Sequence, residues 1–273
     1  MAQPVVGDGE QFFVALRRQL QFYLRTWRFA GLLAFTLAVS LIVLVLEVAV
    51  FGSGAKTASD YLAGFYGELA VDAILVAALL GGDAISMDFG SPTGYYMLVQ
   101  PVRRWVLLLG RYLAAFLAAF AIGLVYVALG VFGAAYFFGV GAVPFATLGL
   151  SVGLMILFLL GALSAAFSFS ALIRSPAVGM IVSVLVLFLG FSIVDGVFEL
   201  ADIEPWFSIQ YAGQAISEVF SSTISHRVVL GVGRIRVITY HPYPAEAAAI
   251  MLGYFVLFLA LALLVYDRKE SQG

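Results

Sequence analysis

The chain has 273 residues, of which 63% are hydrophobic and 11% charged, and its mean hydropathy is +1.06. Soluble domains are roughly half apolar and about a quarter charged, so most of this chain needs lipid rather than water as its solvent. A formal net charge of −2 argues against a nucleic-acid partner, and the absence of cysteine excludes disulfides, a thiolate nucleophile, iron–sulfur clusters and zinc fingers.

Residues 1–10 carry Asp8 and Glu10, with no basic residue and no apolar core, and read as a flexible N-terminus rather than a signal peptide. Residues 11–28 have helical periodicity. Phe12, Leu16, Leu20, Tyr23, Leu24 and Trp27 recur at steps of three and four. Arg18, Gln21, Arg25 and Arg28 do the same on the opposite face, with Arg17 beside them. One oily face and one cationic face predict an amphipathic helix in the membrane interface, anchored by Arg17, Arg18, Arg25 and Arg28.

A six-span transmembrane domain is expected over 29–266, with spans at 29–51, 61–80, 105–138, 145–173, 178–200 and 246–266. Ser59 and Asp60 supply a cap for the second span. Residues 201–245 form the largest non-spanning segment, with an amphipathic helix near Trp206 to Phe220 and a hairpin over Val228 to Tyr240. A short tail, 267–273, follows. The fold class is therefore an all-α integral membrane protein. Placing both termini in the cytoplasm puts Arg17, Arg18, Arg25, Arg28, Arg103, Arg104, Arg111, Arg174, Arg268 and Lys269 inside. Only Lys56, Arg227, Arg234 and Arg236 then lie outside.

Several motifs dissolve on inspection. Phe51 to Thr57 has the look of a phosphate-binding loop, but Val50 and Ala55 occupy its two glycine positions, so no nucleotide site is expected. Glu246-Ala247-Ala248 matches the start of an import-permease coupling motif and lacks the rest of it. His226 and His241, weighed with Asp or Glu as metal ligands, are 15 residues apart without a ligand spacing, and no metal site is expected. Gly149 and Gly153 form a possible helix-packing pair.

Two signals remain. Glu68 and Asp72 fall about 10 Å and about 17 Å into the second span at ~1.5 Å per residue. Spaced four apart, they share a helical face, and carboxylates at such depth are costly unless they have a partner or water. They are candidates for a translocation path or a protonatable pair; structural hydrogen bonding to a neighbouring Ser, Thr or Tyr is the alternative.

The other signal is the loop between the second and third spans. Asp88, Thr93, Tyr96, Met97, Leu98, Pro101, Arg103 and Arg104 form a short amphipathic segment, a proline stop and a basic turn, followed by Leu109-Gly110-Arg111. This pattern resembles the type-2 ATP-binding-cassette (ABC) exporter permeases. Their loop typically reads Glu-Arg-x-x-Gly-Thr, an apolar helix, Pro-Val-Ser-Arg, then Leu-Leu-Gly-Lys. Here Thr93, Pro101-Val102, Arg104 and Leu109-Gly110 match, while Asp88 replaces Glu, Phe89 replaces Arg and Pro92 replaces Gly. Six helices, the basic helix before the first span and the Leu172 to Ala177 turn extend the likeness over most of the chain.

The resemblance implies a permease subunit with a cytoplasmic coupling helix between spans two and three, in a dimer, homo- or heterodimeric, of two permeases with two separate ABC ATPase subunits. ATP and Mg would belong to the ATPase, and this chain would hold no cofactor and break no bond. Membrane lipid is the remaining partner. Export is implied by the family alone. Two rival classes are an ion-coupled secondary transporter using Glu68 and Asp72, and a membrane anchor without a transport path.

Overall fold

A computed structural model describes residues 7–49, 55–90, 103–221, 226–232 and 235–268. Thr93, Tyr96, Met97, Leu98 and Pro101 lie outside these described residues. Among the described residues, six helices are long and apolar enough to cross a membrane: Trp27–Glu47, Ala58–Asp88, Arg104–Phe138, Phe145–Leu172, Pro176–Leu200 and Pro244–Arg268. The only sheet among them is a two-stranded hairpin.

The N-terminal helix, Asp8–Arg25, ends at Thr26, whose backbone is extended and whose N–H bonds the Tyr23 carbonyl. It therefore stops before Arg28, and Trp27 opens the first span. Its apolar stripe lies largely on protein. Leu16 and Leu20 pack against the core and Tyr23 is buried. The third span approaches so closely at Gly110 that a Cβ there would lie 2.9 Å from Ala15 Cβ. Leu24 and Trp27, read from sequence as part of the same stripe, are exposed, as are Arg17, Arg18 and Arg25.

The second span is the centre of the bundle. Its most apolar window is 83% buried, against 17%, 17% and 11% for the first, fifth and sixth spans, whose apolar outer faces suit lipid. This span is longer than the expected 61–80, because it begins at a Thr57 capping box and continues through Asp83 and Asp88. It is not one regular helix. At Tyr66–Glu68 it tightens to a 3₁₀ turn in which the Leu69 N–H bonds the Tyr66 carbonyl. The Phe65 carbonyl instead accepts the Tyr126 hydroxyl at 3.0 Å, and Tyr66 donates to the Val127 carbonyl at 2.9 Å. Two buried tyrosines thus staple the second span to the third in both directions. A second break follows Gly81, where the Ser170 hydroxyl of the fourth span accepts the Ile85 and Ser86 N–H groups at 2.9 and 3.0 Å.

The third span runs unbroken for 35 residues, about 52 Å at ~1.5 Å per residue. That exceeds the ~30 Å hydrocarbon core, so one end projects. The fifth span contains a π-helical turn at Leu185–Gly190.

The long 201–245 segment is partly inserted into the bundle. Ser208 caps the helix Ile209–Glu218, accepting the Gln210 and Tyr211 N–H groups. That helix buries Ile209, Tyr211, Ala212, Gly213, Ala215 and Ile216 against the second, fourth and sixth spans. The strands β1 (Arg227–Val232) and β2 (Ile235–Tyr240) pair antiparallel, with Arg227 opposite Tyr240. The expected hairpin is present.

Candidate functional site

Polar side chains gather at three levels. At the arginine-rich end, Asp88 Oδ2 pairs with Arg111 Nη1 at 2.5 Å and accepts the Tyr266 hydroxyl at 3.0 Å. Asp88, Arg111 and Tyr266 are 4%, 8% and 2% exposed. Arg111 also donates to the Ala84 carbonyl at 3.2 Å, and the Arg104 guanidinium lies 5.7 Å from the Tyr266 ring centroid. The acidic residue that the sequence pattern puts at the head of the coupling loop is thus buried among the second, third and sixth spans. Beside it Arg28 forms an ion pair with the buried Asp83, and Tyr23 donates to the Leu80 carbonyl at 2.9 Å. Arg28 thereby ties the start of the first span to the second. Arg103, at the other end of the loop, is exposed and pairs with Asp8 at 2.8 Å.

At mid-span the two carboxylates do not share an environment. Asp72 is 2% exposed and accepts the Thr36 hydroxyl of the first span at 3.0 and 2.9 Å. Glu68 lies in the 3₁₀ turn and is exposed. The tightened turn breaks the regular four-residue face on which the sequence places both.

At the hairpin end, Glu204, His226 and Glu246 converge, with one donor atom from each lying within 4.8 Å of the others. His226 Nε2 is 3.2 Å from Glu204 Oε2, and its Nδ1 is 2.8 Å from the His241 carbonyl oxygen. The Tyr211 hydroxyl donates to Glu204 Oε1 at 2.6 Å, and the Tyr243 ring stacks on His226 at 5.0 Å. Burial opposes charge on His226, but the His241 carbonyl and Glu204 outweigh it and raise the imidazole above its usual range. Next to it, Asp202 accepts from Tyr240 at 2.6 Å and from Arg227 at 3.1 and 2.6 Å, which lowers its pKa. His241 pairs with Glu218, whose pKa burial raises despite that partner.

Sequence reasoning located Asp88 and Arg111 in one motif but not their mutual pairing. It left Asp83 in the loop without a role, and it found no ligand spacing for the histidines with an acidic partner, because Glu204 and Glu246 lie 22 and 20 residues from His226. The signal available was an acidic residue inside an apolar stretch, at Asp83, with no solvated loop to hold it.

Five apolar helices around a buried second span define an all-α, multi-pass integral membrane protein. A protein-family model described as "ABC-2 family transporter protein" matches residues 50–264. The chain belongs to that family and is a membrane subunit of an ABC transporter, and membership implies an ABC ATPase as its partner. A comparison with curated proteins found no match.

Proposed function

We propose that this chain is the permease subunit of an ABC exporter, forming the translocation path with a second permease subunit and driven by two copies of a separate ATPase. Both termini lie in the cytoplasm, and the loop between the second and third spans docks on the ATPase. The chain itself hydrolyses nothing; ATP and Mg bind the partner.

The observation that carries this reading is the Asp88–Arg111–Tyr266 junction. A loop that only connected two helices would have no need of a buried charge pair at its root. Here the head of the loop is fixed to the second, third and sixth spans at once. A displacement of the loop would therefore reach all three as one body instead of being absorbed by a flexible joint. The rows of apolar side chains on the first, fifth and sixth spans suit lipid and a second permease.

Co-expression with the cognate ATPase tests the reading. The two should purify together, the permease alone should show no ATPase activity, and transport in inside-out vesicles should require ATP. Vigorous ATP-independent transport by the permease alone would favour an ion-coupled carrier instead.

A further inference from the structure

The hairpin-end cluster plays no part in the proposed coupling, and it has the chemistry of a cation site. Its three side chains come from different elements. Glu204 precedes the helix Ile209–Glu218, His226 stands at the root of the hairpin, and Glu246 lies in the first turn of the sixth span. A carboxylate oxygen of Glu204 and one of Glu246 lie within 4.8 Å of each other. Two carboxylates that close repel unless a proton or a cation lies between them. The nearest basic residue in sequence, Arg227, is occupied by Asp202.

The imidazole is also set for ligation. A carbonyl oxygen only accepts hydrogen bonds, so the 2.8 Å contact with the His241 carbonyl places a proton on His226 Nδ1. In the neutral ring the lone pair is then on Nε2, the nitrogen facing Glu204. Metal-bound histidines are commonly oriented by such a bond from their second nitrogen, and ligating carboxylates by a donor such as Tyr211. Both supporting bonds are in place before any ion is considered. Donor atoms around an ion bound at about 2.0–2.2 Å in tetrahedral geometry stand roughly 3.3–3.6 Å apart. The Nε2–Oε2 separation of 3.2 Å is already near that value, and a rotamer adjustment of Glu246 would close the third side.

We propose that Glu204, His226 and Glu246 bind one divalent transition cation of the zinc type, clasping the root of the hairpin to the sixth span. An imidazole nitrogen with two carboxylates suits such an ion, whereas magnesium and calcium prefer all-oxygen sets. Three protein ligands leave a fourth position for water or an incoming group. The inference rests on these residues and is independent of the direction of transport and of the ATPase.

The protein, purified in detergent with a histidine-free tag and stripped with chelator, is titrated with Zn²⁺ by calorimetry and thermal melting. One Zn²⁺ per chain should bind and raise Tm, and millimolar Mg²⁺ should not displace it. His226→Gln and Glu246→Gln should each abolish that binding while remaining monodisperse with the metal-free Tm of the parent. Tyr211→Phe should weaken it about 10–100-fold, and Glu218→Gln should leave the stoichiometry unchanged. No Zn²⁺ binding by the parent, displacement by Mg²⁺, or undiminished binding by whichever of the two ligand variants folds would overturn the assignment.

Discussion

Asp88 and Arg111 form a buried ion pair at 2.5 Å, 23 residues apart in sequence, and Tyr266 closes it from the last span at 3.0 Å. The pair sits where the second span ends and the third begins its passage across the bundle. Burying two charges is costly, and what they contribute is one fixed arrangement rather than bulk stability. Removing either partner leaves the other charged, buried and without its counter-ion.

Asp88→Asn and Arg111→Ala should each lower stability by about 3–5 kcal/mol, read as a drop in Tm in detergent. Asp88→Leu combined with Arg111→Met should cost less than the sum, because neither charge is then stranded. Simple additivity would show that the two side chains do not interact.

The mid-span carboxylates are expected to separate into a structural and a functional residue. Thr36→Val removes the hydroxyl that Asp72 accepts and should cost about 1–3 kcal/mol of stability. Glu68 is exposed, so Glu68→Gln should change stability by less than about 0.5 kcal/mol. It should nonetheless lower transport if Glu68 lines the path between two permeases. Unchanged transport in Glu68→Gln removes it from that path.

Close backbone approach holds the fifth span against the second. A Cβ on Gly179 would lie 2.4 Å from the Gly82 carbonyl oxygen, and a backbone atom has no rotamer by which to withdraw. Gly179→Val should destabilise by about 1–3 kcal/mol. Gly149→Ala, where nothing lies within 4 Å, should leave Tm unchanged. Equal tolerance at both sites would mean that the fifth span is free to shift.

Much of this fold was legible because apolar runs of spanning length leave few alternatives. Six spans, the helix before them and the hairpin all follow from periodicity and composition. What escaped was whatever depends on a partner distant in sequence. Asp83 and Asp88 read as loop residues because charge ordinarily ends a span; Arg28 pairs with the first, and Arg111 and Tyr266 with the second, which makes their burial tolerable. Gly149 and Gly153 have the spacing of a packing motif and face open space, while Gly82 and Gly179, which meet each other, have no local pattern. The 3₁₀ turn at Tyr66–Glu68 is invisible for the same reason, since the Tyr126 hydroxyl that takes up the freed carbonyl lies 61 residues away.

Membrane sidedness has a direct test, since the chain has no cysteine. Cysteines introduced singly at Ser221 and Ser271 are treated with an impermeant thiol reagent on intact cells. The first should label and the second should label only after permeabilisation. The reverse pattern would invert the proposed topology.

The loop between the second and third spans gives the sharpest separation of docking from folding. Arg103 and Arg104 are neighbours with different surroundings. Arg103 is exposed and, among the described residues, pairs with the half-exposed Asp8, whereas Arg104 lies over the Tyr266 ring beside the buried ion pair. An exposed ion pair contributes little to stability, ~0–1 kcal/mol, so Arg103 is available to a carboxylate on the ATPase. Desolvated charge pairs across an interface cost about 2–5 kcal/mol when one partner is removed. Arg103→Glu combined with Leu98→Asp should therefore release the ATPase or abolish its coupling while Tm stays at the parent value. Arg104→Glu should lower Tm, since it puts a carboxylate next to Asp88 and Tyr266. If the arginines only hold the loop to lipid head groups, the Arg103→Glu and Leu98→Asp double variant will still co-purify with the ATPase and sustain transport. Pull-down from membranes followed by an ATPase assay decides between the two, and retained binding with retained coupling would remove the loop from the docking surface.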